Sequence, residues 1–494
     1  MRAAILVLMI AVAGCARAET DRPIAVGSKV FTESVVLGEV LTQAARAAGV
    51  AAEHRRELGG TRILFEALKR GDIDAYVEYT GTISEELVPG VDHAAMPAAL
   101  AASGIAMTRP LGFNNTYAIG MMAAMAERLG ISAISDLARH PDLEIGFSNE
   151  FMSRTDGWPS LRARYALPHT RVRGLDHDLA IRALAAGQIA VTDLYSTDAE
   201  IRAYGLRVLD DDGRHFPGYQ AVVLYRADAT ARAGAAIAAW HALSGRIDEA
   251  GMVAMNARVK MDGVPDARVA ADFLAGATGQ VSDVGTATRP ARILARAREH
   301  LLIVVISLAA AIALGLPLGV LAAKRRRIGR VVLAIVAIVQ TVPSLALLVF
   351  MIPLLGIGTW PAVAALFLYS LLPIVRNTHQ GLTGISAELQ DSARALGLPP
   401  AAVLRRIELP LASPAIVAGI KTAAVINVGT ATLGALVGAG GFGQPILTGI
   451  RLADTSLILE GAIPAALLAL LAQALLDGAE RVVVPRGLRL SRGQ

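Results

Sequence analysis

The 494-residue chain has one cysteine, Cys15, which excludes an intrachain disulfide framework and a thiolate-rich metal site. Aromatic residues make up only 4% of it, and its basic residues sit in short clusters beside apolar runs. A nucleic-acid groove, where base and aromatic side chains interleave, is not indicated. No Gly-x-x-x-x-Gly-Lys-Ser/Thr segment occurs, so the chain cannot itself cradle nucleotide phosphates in a P-loop. Charge is sparse too. Charged residues are 18% against 54% hydrophobic, and the mean hydropathy is +0.50. That is too apolar for a purely soluble protein and too charged for a purely membrane one.

A composite is therefore expected, and the length suggests about three folding units. Residues 1–290 carry 29 Lys and Arg against 34 Asp and Glu, net −5, whereas residues 291–494 carry 18 against 8, net +10. An acidic, globular part precedes a basic, apolar one. Arg2 followed by the apolar run Ala3 to Ala13 and the step Ala16-Arg17-Ala18 reads as an export signal over residues 1–18. Val12-Ala13-Gly14-Cys15 equally resembles a lipobox, in which Cys15 would be acylated. The run is shorter than the about 20 residues a membrane helix needs.

Residues 21–280 alternate strand-like and helix-like patterns, the mark of α/β layers. Ile24-Ala25-Val26 reads as a strand, Thr32 to Ala48 as a helix and Arg56-Glu57-Leu58 as a strand. A second helix, capped by Thr61, ends at Gly71 and leads to a strand over Ile73 to Val77. The helix-Gly-strand unit repeats 116 residues on, Ala67 to Ile73 being echoed by Ala183 to Ile189. Two similar lobes are implied. The same offset carries Tyr79 onto Tyr195, one tyrosine just past a strand in each lobe, so the two rings are expected to face each other across a cleft.

Residues 281–292 read as a linker, and 293–494 as an all-α transmembrane domain. Leu301 to Ala323 holds no charge and spans about 34 Å as a helix, enough for one crossing. Val331 to Val375 is long enough for two crossings with a turn at Gly356 to Pro361. Two more are expected near Pro414 to Val437 and Ser456 to Leu476, giving five spans. With the first domain outside, the clusters at 324–330, 376–406 and the C-terminal arginines all fall in the cytoplasm, as the positive-inside rule requires. The outward turns hold almost no base, Arg451 excepted. Lys421, inside the fourth apolar run, is expected near its cytoplasmic end.

Two motifs in this half need weighing. Gly438-Ala439-Gly440-Gly441-Phe442-Gly443 matches the dinucleotide fingerprint, but no βαβ unit surrounds it, and it reads as a loop or hinge at the membrane edge. Gln340-Thr341-Val342-Pro343-Ser344 is a polar, Pro-broken patch in the second span. It lines a pathway or simply kinks a helix.

The polar stretch between the third and fourth spans carries Asp391-Ser392-Ala393, then Gly397, then after nine residues Ile407-Glu408-Leu409-Pro410. The spacing resembles the coupling loop of ABC importer permeases, with Asp391-Ser392 departing from the usual Glu-Ala. The resemblance implies that this loop, as a pair of short helices, engages a separate ABC ATPase subunit, and that ATP is used there and not in this chain.

In the exported part, seven segments together resemble binding proteins for glycine betaine, choline and carnitine. They are Gly27 to Glu33, Gly59-Gly60-Thr61, Glu78 to Thr82, Asn115-Thr116-Tyr117, Ser153 to Gly157, Tyr195 to Asp198 and Phe216 to Gln220. By that resemblance the fold is the two-lobed α/β binding-protein fold. Tyr79, Tyr117, Tyr195 and Tyr219 form an aromatic cage, and Arg154 holds a ligand carboxylate with Thr82 and Asn115 nearby. The chemistry agrees. A trimethylammonium group has no hydrogen to donate, so it is held best by ring faces, at about 0.5 to 2 kcal/mol for each. Four of the nine tyrosines fall in these segments.

The reading is a binding protein fused to the permease subunit of an ABC importer for quaternary-ammonium osmoprotectants, without catalytic or metal chemistry of its own. The resemblance implies a homodimer in the plasma membrane with two ATPase subunits, the binding domain lying on the periplasmic or extracellular side. One alternative keeps the importer and changes the cargo to an amino acid or another polar solute. Another is a ligand-sensing membrane receptor, which would carry an output domain beyond its last span.

Overall fold

The computed structural model describes residues 22–279 and 288–489. The expected export signal, with Cys15, lies outside these residues, as does most of the expected linker. The chain divides near residue 287 into two compact units.

In the N-terminal unit, strand β1 (Ile24–Gly27) leads into helix α1 (Thr32–Ala47), β2 (Ala52–Arg55), α2 (Thr61–Arg70) and β3 (Ala75–Tyr79). The second strand lies earlier than the expected Arg56-Glu57-Leu58. Glu57 (φ 56°) and Gly59 (φ 121°) leave the extended region there and end the strand. Gly60 caps α2, and Thr61 is its first helical residue, which leaves the Thr61 hydroxyl for other side chains. With β4 (Ile105–Met107) and β10 (Ala221–Arg226) these strands make one sheet in the order β2-β1-β3-β10-β4.

The second lobe is built on β5 (Tyr117–Met122), β6 (Ile145–Ser148), β7 (Val172–Leu175), β8 (Thr192–Tyr195) and β9 (Leu206–Val208). Its sheets run β8-β5-β9 and β6-β7, joined by the bridge Ile145↔Val191. The chain crosses between the lobes at 108–116 and 209–220, and the crossings pair at Asn114↔Gln220. The sequence echo is structural. Helix α3 (His177–Ala185) and β8 repeat α2 and β3, with Gly71 (φ 81°) and Gly187 (φ 71°) turning out of each helix in the left-handed conformation that glycine takes at least cost. Helix α4 (Glu249–Lys260) packs on α1. The core of the first lobe centres on Trp240, whose indole N–H donates to the Leu41 carbonyl at 2.9 Å.

The C-terminal unit is helical. Helix α5 (Arg289–Lys324) begins inside the expected linker, so residues 289–292 are helical. The expected second span is bent. Helices α6 (Arg326–Thr341) and α7 (Ser344–Leu355) meet at 101° across Val342-Pro343, because proline cannot continue the hydrogen-bond ladder. Gly356 (φ 78°) and Gly358 (φ 106°) make the turn into α8 (Thr359–Thr383). Then follow α9 (Ala387–Ala395), α10 (Leu409–Thr430) and α11 (Thr455–Val483). Among the described residues four stretches are long and apolar enough to cross a membrane, and the bent pair makes a fifth if counted as one span.

Without a hydrophobic drive inside lipid, packing rests on small residues and polar contacts. A Cβ on Gly315 would lie 2.9 Å from Ile374, and one on Gly319 2.5 Å from Thr378, so only glycine lets α5 approach α8 this closely. Asn427 of α10 donates to Ser307 at 3.0 Å and accepts from Ser370 at 2.9 Å, tying three helices. Lys421 lies within α10, opposite the C-terminal end of α11. Asp477 and Glu480 of α11 neutralise it there.

Candidate functional site

The two sheets deliver their tyrosines to one place. Tyr79 ends β3, and Tyr117 and Tyr195 are cross-strand partners at the rim of the second sheet. Tyr219 lies on a crossing segment just before β10. The Tyr117 ring is the hub, its centroid 5.2 Å from Tyr195, 5.8 Å from Tyr219 and 5.1 Å from Phe151. Phe31 links Tyr195 (5.2 Å) to Tyr79 (6.3 Å). The four predicted rings thus form one cluster, with Phe31, Phe151 and Phe216 completing it.

Tyr195 and Tyr219 touch Tyr117 directly, and the Phe31 ring fills the space between Tyr195 and Tyr79, so the two expected partners do not face across an open gap. Centroids 5 to 6 Å apart are rings in direct contact, and all four tyrosines are buried. A cleft of about 570 Å³ lies beside them, lined by Phe31, Thr61, Glu150, Arg154, His177 and Tyr195 among others. Of the predicted ligand residues only Arg154 and Tyr195 line it. Tyr79, Tyr117, Tyr219, Thr82 and Asn115 lie behind, because the lobes meet over them.

Arg154 is expected to hold a ligand carboxylate, yet its fork already holds one from the protein. Its Nε and Nη2 donate to Asp156 at 2.6 Å each, and Nη2 reaches the Thr82 hydroxyl at 3.4 Å. The guanidinium lies 5.3 Å over the Tyr117 ring. Asp156 also accepts from the Tyr219 hydroxyl. Tyr219 packs flat on Gly81, where a Cβ would come within 2.6 Å of the ring.

Sequence reading named Glu33 within a motif and gave it no role, but it is the centre of the buried polar network. Oε1 accepts from Tyr79 (2.6 Å) and Asn115 (2.8 Å). Oε2 accepts from Thr197 and from Asn256 of α4 (3.1 Å). Burial raises its carboxyl above the usual value, and the four hydrogen bonds oppose that rise. His177 was not foreseen either. It stacks on Tyr195 at 4.2 Å, and although burial disfavours its charge, Asp198 and Asp193 hold the imidazolium well above its ordinary range. Only the Phe31-x-Glu33 spacing within the quoted motif signalled any of these. His177 and Asn256 stand in segments with no motif.

In the C-terminal unit, Asp391, Ser392 and Ala393 lie on α9, and Gly397 (φ 73°) makes the turn that follows. Ile407 falls in a wide turn over Leu404–Glu408, and Leu409 and Pro410 begin α10. Glu408 is ion-paired with Lys324 at 2.5 Å. Leu389 and Leu396 are 50% and 76% exposed on this helix pair. The glycine-rich segment 438–443 is a loop before the helix Gly443–Leu452, and among the described residues it has no strand beside it, unlike a dinucleotide-binding βαβ unit.

Residues 22–276 match the family model described as the substrate binding domain of ABC-type glycine betaine transport systems. Residues 315–488 match that of the binding-protein-dependent transport system inner membrane component. The choline transport system permease protein OpuBB of Bacillus subtilis is 41% identical over 202 residues, covering 41% of this chain and 93% of that one. The osmoprotectant import permease protein OsmW of Salmonella typhimurium is 41% identical over 196 residues, covering 39% and 91%. A solved structure described as a glycine betaine/carnitine/choline ABC transporter is 26% identical, covers 51% of this chain and 98% of its own, and has a TM-score of 0.43.

Proposed function

Because the chain belongs to the family of substrate-binding domains of ABC-type glycine betaine transport systems and carries the inner-membrane component of such systems in the same polypeptide, we propose that it captures a quaternary amine with its own tyrosines and passes it through its own spans. It is the fused binding and permease part of an ABC importer for osmoprotectants. Tyr79, Tyr117, Tyr195 and Tyr219 receive the trimethylammonium group of glycine betaine, choline or carnitine. The observation that carries this is the convergence of Tyr195 and Tyr219 on the Tyr117 ring, with Tyr79 of the other lobe joined to Tyr195 through Phe31. Since those rings are in contact, ligand entry requires the lobes to part and then close around the cation, with Tyr195 and Phe31, which line the cleft, met first.

Arg154 holds a ligand carboxylate by exchanging part of its hold on Asp156, helped by Thr82, while Asn115 braces the cage. This predicts that betaine and carnitine depend on Arg154 more than choline does. The binding domain works outside the membrane, on the periplasmic or extracellular side, as the charge of the loops supports. Two copies of the chain form the pore. Asp391, Ser392, Ala393, Gly397, Ile407, Leu409 and Pro410 frame a helix-turn-helix whose exposed Leu389 and Leu396 suit the groove of a separate ATPase subunit. ATP hydrolysis in that partner drives release inward.

The test is calorimetric titration of the full chain in detergent with choline, glycine betaine, carnitine and an ordinary amino acid. Quaternary amines are expected to bind, and Tyr195→Ala to weaken them by about tenfold or more, a loss of about 1.4 kcal/mol. Arg154→Ala is expected to cost betaine more than choline. Preference for a primary-amine amino acid would overturn the cargo, and equal losses for betaine and choline would overturn the role of Arg154.

A further inference from the structure

Buried charges beside the ring cluster come in pairs, with one exception. Lys29 matches Glu78 at 2.6 Å, and Arg154 matches Asp156 at 2.6 Å. Lys260 matches Asp178 and Glu200, and His177 lies against Asp193 and Asp198. Glu33 is 3% exposed and makes no ion pair among the described residues. Its partners are four neutral donors, an amide and a hydroxyl on each oxygen. An ionised carboxylate, acceptor-only with about four lone-pair sites, accommodates all four, whereas a protonated one would waste a donor. The charge of this carboxylate is thus accommodated by hydrogen bonds but not neutralised. An isolated buried charge is costly, and burial pushes the Glu33 carboxyl upward accordingly.

Two of the four donors are residues of the proposed site. The Tyr79 hydroxyl points at Glu33 from the ring that would face the ligand, so the carboxylate enriches the electron density of that ring. Asn115 orients its amide group the same way. A permanent cation placed among the rings supplies the missing opposite charge through one layer of side chains. It strengthens with the negative charge behind the ring in a medium where Coulomb interactions are weakly screened.

We propose that Glu33 is the fixed counter-charge of the binding site, a positioning residue that holds Tyr79 and Asn115 and makes the site select ligands with a permanent cation over uncharged molecules of the same shape. This rests on the quaternary-amine reading above and assigns the charge that reading requires. The loss of a hydrogen-bonded knot alone would weaken every ligand alike, so the discriminating quantity is a ratio.

The experiment titrates the full chain in detergent with choline and with its uncharged carbon analogue, 3,3-dimethylbutan-1-ol. In Glu33→Gln, which keeps volume and removes charge, the choline-to-analogue affinity ratio is expected to fall by about tenfold or more. In Glu33→Asp, which keeps charge, the ratio is expected to stay within about threefold of the original even if both ligands bind more weakly. If Glu33→Gln does not fold, Glu33→Asp decides alone, a kept ratio supporting the proposal and a collapsed one overturning it. An unchanged ratio in Glu33→Gln with both affinities reduced overturns the counter-charge and leaves the cargo standing. Failure of the unmodified chain to bind choline overturns both.

Discussion

Replacing Lys260 by methionine removes a cation from the seam between the lobes while keeping most of the packing. Lys260 ends α4, which packs on α1 of the first lobe. Its Nζ lies 2.6 Å from Asp178 and 2.7 Å from Glu200, both of the second lobe, and 3.9 Å from Asp198. Its side chain is 7% exposed. Burial opposes these charges and keeps Glu200 above its usual range, but attraction wins at the other three. Asp178 and Asp198 are held below the usual carboxylate range and Lys260 is held above its own. Removing one member of a buried ion pair costs about 3 to 5 kcal/mol, here because Asp178 and Glu200 stay buried without their nearest cation while Asp198 keeps His177. At 1.36 kcal/mol per factor of ten this is roughly a hundredfold to a few thousandfold in the opening equilibrium.

Hydrogen exchange read by mass spectrometry on peptides covering α4 and α3 measures that equilibrium locally. At pH 7 Lys260→Met is expected to accelerate both. The pH dependence has a definite sign. In the unmodified chain the depressed carboxylates stabilise above their unfolded values, and this is lost as pH falls through their folded ones. In the variant Asp198 keeps His177, whereas Asp178 and Glu200 lose the cation that lowers them most and repel, so protonation relieves the penalty and the gap between the two proteins narrows on acidification. Acceleration of less than about tenfold at pH 7, or a gap that widens toward acid, refutes the latch.

Two further substitutions probe the cage and the coupling loop separately. Gly81→Ala places a Cβ 2.6 Å from the ring of Tyr219, which is 1% exposed and has nowhere to move. Choline affinity by calorimetry is expected to fall by about tenfold or more. Gly397→Ala puts an L side chain at φ 73° between α9 and the residues before α10, at about 1 to 2 kcal/mol. It is expected to lower ligand-stimulated ATP hydrolysis by the chain reconstituted with its ATPase while leaving choline affinity unchanged. Normal stimulation would remove Gly397 from the coupling element.

What was legible in the sequence was what short-range physics writes there. The lobes announced themselves because helix, Gly and strand recur at one offset, and the left-handed φ of Gly71 and Gly187 is a local demand that a single residue type meets. The bend at Val342-Pro343 was readable for the same reason. At Lys421 the sequence shows a charge inside an apolar run but not what neutralises it. Its partners, Asp477 and Glu480, are 56 and 59 residues away.

The site divides along the same line. Tyr79, Tyr117, Tyr195 and Tyr219 were identifiable from the segments around them. Their contact with one another, and the prior claim of Asp156 on Arg154, depend on how side chains point from loops, which spacing does not encode. Glu33 and Asn256 are 223 residues apart, and no local pattern marks either as half of a pair. A buried carboxylate can stand without a cation only where several donors converge from distant parts of the chain. A function resting on such a charge can be found only once the donors and the missing partner have been counted together in three dimensions.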